Sequence, residues 1–275
     1  MQSAGSDLGL IEAAAREAGA IARAAFGGSF KSWSKSPDQP VTEVDMAVNA
    51  LLEERLRGAR PDYGWLSEES ADDAARLDCT RVWIIDPIDG TRAFIAGKPE
   101  FTISIGLAHE GRAIAGAVYN PITDEMYLGE AGAGATLNGA PITPSERGGL
   151  EGASLFAFRR VLEKKIWASP WPQVRLAARH SLAYRLALVA AGQFDGALLT
   201  GLKHEWDIAG GAAIVAAAGG RATHLSGAAL VFNQPAPHFP GVVAAGARLH
   251  RVLIERTSHL ADPRDDSAPK QEAAT

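Results

Sequence analysis

An apolar run, Val82-Trp83-Ile84-Ile85, leads directly into Asp86-Pro87-Ile88-Asp89-Gly90-Thr91. The run predicts a buried strand over 81–86, so the carboxylates that follow are held at the edge of a core. Two acids three positions apart, then Gly-Thr, make a seat for a divalent metal and a phosphate together. Pro87 fixes one backbone angle between the acids, and Gly90 lets the main chain approach a ligand. Asp-Pro and Asp-Gly are also ordinary turn signals, so each fragment alone reads as a turn and only the intact hexapeptide reads as a site.

Upstream, Ile11, Ala14, Ala15, Ala18, Ile21, Ala22 and Ala25 share one face of a helix predicted over 7–26. A Ser/Pro/Lys loop at 31–40 precedes Thr42-Glu43-Val44-Asp45, after which Val44, Val48, Leu51, Leu52 and Leu56 recur at helical spacing. Strands are predicted at 101–108 and 113–119, turned at Glu110-Gly111 and closed by Asn120-Pro121, with a further turn at Asn138-Gly139. Then come a helix at 181–191, a strand at 194–199 and an Ala-rich helix at 207–218 stopped by Gly219-Gly220. The Gly/Pro-bearing stretch 143–152 is the expected boundary between an N-terminal α+β half, 1–145, and a C-terminal α/β half, 146–261. The polar tail 262–275 is expected to be disordered. Helices and strands mixed in this order predict a layered α/β protein.

With 275 residues, 47% of them hydrophobic, the chain can bury a substantial core. A net charge of −5 with no basic cluster argues against polymeric nucleic acid as a partner. The single cysteine, Cys79, excludes an internal disulfide framework and fits a reducing compartment. No apolar run approaches the ~20 residues that cross a bilayer, and the amino terminus lacks a basic-then-apolar signal. No membrane partner is expected, and the cytoplasm is the expected location.

These blocks resemble the inositol monophosphatase superfamily of Mg²⁺-dependent, lithium-sensitive phosphatases. The family's Asp-Pro-(Ile/Leu)-Asp-Gly-Thr signature stands unaltered at 86–91. Its Glu-Glu block appears as Trp65-Leu66-Ser67-Glu68-Glu69-Ser70, and its third block as Trp206-Asp207 through Ala218-Gly219-Gly220. The blocks follow in the family's order, and the resemblance covers roughly residues 7 to 250. It implies an α-β-α-β-α sandwich with the active site between the halves, a homodimer, a small phosphorylated metabolite as partner, and two or three Mg²⁺ ions per site.

Carried over on those motifs, Glu68 and Asp86 with the Ile88 carbonyl hold one metal, while Asp86, Asp89 and Asp207 hold a second. Such a pair clamps the attacking water and the leaving ester oxygen of an in-line displacement. Other roles stay open for the same residues. Glu68 and Glu69 also read as a solvated acidic pair, and Asp207 stands where the N-cap of the following helix belongs. The resemblance makes Thr91 and Asp45 the pair that orients and deprotonates the water, with Glu68 beside them; yet Thr42-x-x-Asp45 also has the spacing of a capping box. Gly90 and Thr91, opening a helix predicted at 91–96, would offer backbone N–H groups to phosphate. Asp89, Asp207, Ser181, His204 and Lys35 complete the expected substrate contacts.

Departures from the family pattern bear on the substrate. Inositol monophosphatases usually have Gly at the position of Ser67, whereas Leu-Ser-Glu-Glu is familiar among bisphosphate nucleotidases. Thr91 leads into Arg92-Ala93-Phe94-Ile95 where an Asn-Phe-x-His type segment is common, and Leu199-Thr200 precede Gly201 where inositol-specific members carry an acid. Glu100-Phe101-Thr102 and Glu205-Trp206-Asp207 resemble blocks of bacterial 3′(2′),5′-bisphosphate nucleotidases. Adenosine 3′,5′-bisphosphate is therefore the expected substrate, with Lys35, Arg92, Lys98, Lys203 and His204 as candidate cations for its second phosphate. Each also reads as part of a solvated basic rim. Inositol 1-phosphate and histidinol phosphate are the alternatives, the latter because such members can share Asp-Gly-Thr-Arg-x-Phe-Ile. Arg179-His180-Ser181 stands where a Gly-Ser segment is common beside the substrate, and the bulk would reshape the pocket. A metal-regulated, non-catalytic binding module is the alternative of another class; the complete acid set argues against it. No His–Cys clustering suggests zinc.

Overall fold

The computed structural model describes residues 6–36 and 39–260. In chain order the elements are α1 (Asp7–Ala25), β1 (Ser32–Ser36), β2 (Gln39–Thr42), α2 (Glu43–Ala59), β3 (Gly64–Ser67), β4 (Arg81–Asp89), α3 (Thr91–Ile95), β5 (Thr102–His109), β6 (Arg112–Asn120) and β7 (Glu125–Glu130). There follow β8 (Gly134–Leu137), β9 (Ala140–Pro141), β10 (Ser154–Phe156), α4 (Arg159–Leu162), β11 (Arg175–Ala177), α5 (Leu182–Ala190), β12 (Gly196–His204), α6 (Glu205–Ala217), β13 (Gly220–His224), β14 (His238–Gly246) and α7 (Ala247–Thr257).

The apolar run of β4 sets the layering, because successive side chains of a strand point to opposite faces and here both are greasy. Trp83 and Ile85 pack with Ile11 and Ala18 of α1 and Val48 and Leu52 of α2. Val82 and Ile84 join Leu186 of α5, Ile208 and Val215 of α6, and Phe239 and Val242 of β14. Trp83 is fully buried, and its truncation to Ala would cost about 3–5 kcal/mol. β4 belongs to a seven-stranded sheet of order β3-β4-β5-β6-β7-β8-β9, antiparallel except for the parallel pair β3–β4. A five-stranded mixed sheet of order β11-β10-β12-β14-β13 lies beyond α5 and α6. Its outer face, with Leu155, Leu198 and Val243, is covered by Leu249 and Leu253 of α7. The layers run α-β-α-β-α, as the resemblance implies.

α6 sits between the two sheets and is buried nearly all round, hence its small apolar composition. It meets the first sheet backbone to backbone: a Cβ on Gly116 would stand 2.5 Å from the Gly210 carbonyl oxygen. That close approach sets the depth at which the first turn of α6, with Asp207, enters the site.

Several boundaries differ from expectation. The stretch 31–40 contains most of a hairpin, β1–β2, rather than a loop; β1 is exposed along its whole length, so no burial pattern marks it. β4 runs through Asp89, β12 extends to His204, and α6 begins at Glu205. Residues 143–152 carry no regular element and join the two sheets. The tail expected at 262–275 lies outside the described residues. Among the described residues no helix is long and apolar enough to cross a membrane.

Candidate active site

Acids three apart on a regular strand would point to opposite faces. Pairing of β4 with β5 shifts register between Asp86, opposite Ser104, and Asp89, opposite Thr102. Three residues of β4 thus span two of β5, and this bulge at Pro87-Ile88 turns both carboxylates to the same side. There they meet Asp207: one oxygen from each of Asp86, Asp89 and Asp207 lies within 4.8 Å of the others.

Asp89 is held from α5. Its Oδ2 accepts from Ser181 Oγ and from the Ala183 N–H, both at 2.6 Å, while the Ser181 hydroxyl also lies 3.0 Å from Thr102 Oγ1 and accepts from the Tyr184 N–H. Ser181 is fully buried, so it positions Asp89 instead of meeting a substrate. Asp207 stands at the third position of α6, not at its cap; its Oδ2 accepts the His204 N–H at 3.0 Å. Glu68 lines the same cleft, and its Oε1 receives Lys35 Nζ at 3.1 Å, with Glu69 Oε1 at 2.7 Å. Burial pulls the Lys35 ammonium down, but the charges of Glu68 and Glu69 outweigh it and hold the group above its ordinary value. Lys35 therefore pairs with the acids rather than lining the cleft.

Asp45 makes hydrogen bonds to both Thr42 and Thr91. Thr42 caps α2, and Asp45 Oδ2 accepts the Thr42 N–H at 2.8 Å, completing the capping box; it also accepts the Thr42 hydroxyl. Asp45 Oδ1 accepts from Thr91 Oγ1 at 3.2 Å, and Thr91 Oγ1 lies 3.0 Å from the Ile88 carbonyl. Gly90 precedes α3 at φ +100°, a left-handed conformation, and a Cβ there would stand 3.0 Å from the Glu100 carbonyl oxygen, so glycine is required. The N–H groups of Ala93 and Phe94 are bonded to the Gly90 carbonyl.

Electrostatics argue for a cation at this place. Burial, compounded by Glu68, Asp89 and Asp207, pushes Asp86 well above the carboxylate range, and burial with Asp89 and Glu68 does the same to Asp207. Burial pushes Asp89 up to about 6 against the hydrogen bonds from Ser181, Ala183 and Leu182. Asp86 Oδ1 is buried with no hydrogen-bond partner, an arrangement that costs stability unless something positive meets it. An all-oxygen donor set suits a hard ion, and Mg²⁺ is the hard ion that works beside phosphate oxygens. The residues fit Mg²⁺.

The cleft above the acids encloses about 640 Å³. Arg92, Arg179, His180 and Arg185 line it together with Glu100, Phe158 and Leu202. Among the expected cations, Lys203 curls onto the carbonyls of Thr200, Gly201 and Leu202, and His204 stacks on Trp206 at 4.5 Å, outside the lining. Lys98 is likewise outside it. Glu205 is fully buried and accepts from the Asn233 and Gln234 N–H groups, so its place in the Glu-Trp-Asp block is structural; burial pushes it up to about 7. Arg185 escaped the sequence reading, although a lone charge in the apolar run Leu182–Ala190 marks it. Its guanidinium donates to the Arg179 carbonyl at 2.8 Å, which fixes that wall of the cleft.

Clustered carboxylates at the floor of an arginine-walled cleft define a metal-dependent phosphatase. The chain belongs to the inositol monophosphatase family, whose sequence profile, described as "Inositol monophosphatase family", matches residues 7–261. It is 34% identical over 201 residues to the inositol-1-monophosphatase of Rhizobium meliloti, covering 70% of this chain and 75% of that one. It is 32% identical over 270 residues to that of Caulobacter vibrioides, covering 90% and 98%. Among solved structures, the extragenic suppressor protein suhB of Bartonella henselae superposes with a TM-score of 0.79 at 28% identity, covering 92% of this chain and 99% of that one.

Proposed function

We propose that the chain removes the 3′-phosphate of adenosine 3′,5′-bisphosphate by Mg²⁺-dependent hydrolysis. The observation that carries the reading is the gathering of Asp86, Asp89 and Asp207 within 4.8 Å at the floor of a cleft walled by Arg92, Arg179 and Arg185. The phosphate to be cleaved belongs over the acids, and a second phosphate belongs against the guanidinium groups, which match phosphate oxygens in bidentate fashion. β12 contributes the apolar Leu202 to the cleft, while Thr200 occupies the place where the resemblance puts a hydroxyl-binding acid. A polyol ring would leave more of its hydroxyls unpaired there.

Glu68, Asp86, Asp89, Asp207 and the Ile88 carbonyl would hold Mg²⁺, in two or three positions. Bound there, the metal supplies Lewis-acid neutralisation of the charge spread over the phosphoryl oxygens. Thr91 Oγ1 carries one proton and faces two acceptors, Asp45 Oδ1 at 3.2 Å and the Ile88 carbonyl at 3.0 Å. With that proton directed to Asp45, the Thr91 lone pairs accept an O–H of the attacking water. Burial holds the Asp45 carboxyl above its ordinary value, which makes its carboxylate the stronger base. As the water oxygen bonds to phosphorus, its proton passes to Thr91 and the threonine proton to Asp45. The ester P–O bond breaks in line, and the departing oxygen takes its proton from solvent.

Inositol 1-phosphate is the second reading, favoured by the names of the relatives. Phosphate release from adenosine 3′,5′-bisphosphate, inositol 1-phosphate and histidinol phosphate at matched Mg²⁺ separates the readings. The bisphosphate should give the highest kcat/KM, and Arg185→Gln should erode its advantage. A higher value for either alternative would overturn the substrate while leaving the hydrolase.

A further inference from the structure

Three of the four acids stand on strands or helices fixed by their own hydrogen-bond ladders. Glu68 stands less firmly: it follows the last residue of β3 in the turn 67–70, where a single bond from its N–H to the Ile85 carbonyl at 3.2 Å ties its backbone to β4, so the course of the turn beyond it depends on what else holds that turn. The holder comes from α2. Asn49 lies one helical turn beyond Asp45 on the same face, and the two are 6% and 1% exposed. Its Oδ1 accepts from Ser67 Oγ at 2.6 Å, and its Nδ2 donates to Ser70 Oγ at 3.1 Å. Ser70 Oγ takes a second hydrogen bond from Trp65 Nε1 at 3.0 Å, and Ser67 Oγ accepts the Glu69 N–H at 3.3 Å. One side-chain amide therefore grips the residue before Glu68 and the residue two after it.

We infer that Asn49, acting through Ser67 and Ser70, is a positioning residue that fixes the Glu68 carboxylate for the metal and keeps it in register with the Asp45–Thr91 pair. The inference rests on the reading that Glu68 is a metal ligand. An amide suits the task because it offers an acceptor to one hydroxyl and a donor to the other, which neither a carboxylate nor an alkyl group does. The clamp works against a competitor. Lys35 Nζ is 3.1 Å from Glu68 Oε1, and a turn released from Asn49 would let the carboxylate follow that ammonium away from Asp86.

Binding of Mn²⁺ to the full chain, followed by the electron paramagnetic resonance of the free ion, tests this alongside the Mg²⁺ concentration for half-maximal activity. Asn49→Ala should weaken Mn²⁺ binding and raise half-activating Mg²⁺ by about 10-fold, with kcat at saturating Mg²⁺ falling far less. Ser67→Gly should do the same, and the double variant should be little worse than either, because both act through one contact. Ser67→Gly also keeps the test open if Asn49→Ala does not fold. Asn138→Ala, which breaks an amide-held turn at the far end of the sheet, should lower Tm without moving either metal readout. Wild-type Mn²⁺ affinity in both Asn49→Ala and Ser67→Gly, or an equal weakening in Asn138→Ala, would overturn the inference. Glu68→Gln separates the layers: if it leaves Mn²⁺ affinity unchanged, the metal role of Glu68 fails as well, whereas a loss there without one in Asn49→Ala removes the positioning role alone.

Discussion

Asp45→Asn should separate two duties that share one carboxylate. Oδ2 serves the fold, taking the Thr42 N–H at 2.8 Å, and Oδ1 serves the site, taking the Thr91 hydroxyl at 3.2 Å. Asparagine retains one oxygen. The buried Thr42 N–H needs an acceptor, which turns that oxygen toward the cap and leaves the new NH₂ group donating to Thr91 Oγ1, whose own proton then turns to the Ile88 carbonyl. The cap survives in part, so the stability cost should stay within about 0.5–2 kcal/mol, and relief of a buried charge offsets some of it. For a chain of this size that is a fall of a few degrees in Tm, at about 2–4 °C per kcal/mol. The proton acceptor is lost outright, so kcat should fall about 10²–10⁴-fold. Thr91→Val should lose a comparable factor, and the double variant should be little worse than either single, because a proton relay fails as a unit. The assay is phosphate release across pH at saturating Mg²⁺, with a thermal melt of each variant. Unchanged kcat in Asp45→Asn, or fully multiplicative losses in the double variant, would refute the relay and leave Asp45 a helix cap.

Asp89→Asn should abolish most Mg²⁺-dependent turnover while Tm stays near wild type; near-normal kcat at saturating Mg²⁺ would break the metal assignment. Ser181→Ala removes both the cap of α5 and a hydrogen bond to Asp89, so it should cost about 0.5–2 kcal/mol and raise half-activating Mg²⁺ by about 10-fold. Because burial raises Asp89 from 3.8 to about 6, its contribution to stability without metal is present below 3.8 and lost as pH rises through about 6. Added Mg²⁺ should therefore raise Tm more above about pH 7 than at about pH 5, and equal shifts at both would contradict the argument from the buried Asp89 carboxylate. Lithium at millimolar concentration should inhibit, as the family resemblance implies; a flat titration would place the chain outside the lithium-sensitive group.

Much of the fold was legible because its driving forces are local. The apolar face of α1, the turn at Glu110-Gly111 and the continuous greasy run of β4 each state their own structure. β1 was not legible, since an exposed hairpin held by backbone bonds leaves no hydrophobic period. Nor was the Pro87-Ile88 bulge, a property of pairing with β5, and without it the spacing of Asp86 and Asp89 would scatter them across the sheet. The candidate metal acids were readable as blocks. The residues that hold them, Ser181 on Asp89 and Asn49 behind Glu68, come together only in three dimensions. His204 and Lys203 misled because a cation near an acid in sequence can spend itself on a neighbouring ring or on carbonyls of its own loop.

The most direct test is phosphate release from adenosine 3′,5′-bisphosphate by metal-stripped protein titrated with Mg²⁺, run in parallel with Asp86→Asn. Asp86 carries the buried, partnerless oxygen, so its neutralisation strikes the site where the need for a cation is greatest. The expected result is no release without Mg²⁺, a saturable rise with it, and no comparable rise in the variant at any Mg²⁺ concentration. Release in the presence of a chelator, or an unaltered Mg²⁺ response in Asp86→Asn, would contradict a metal-dependent phosphatase built on these acids.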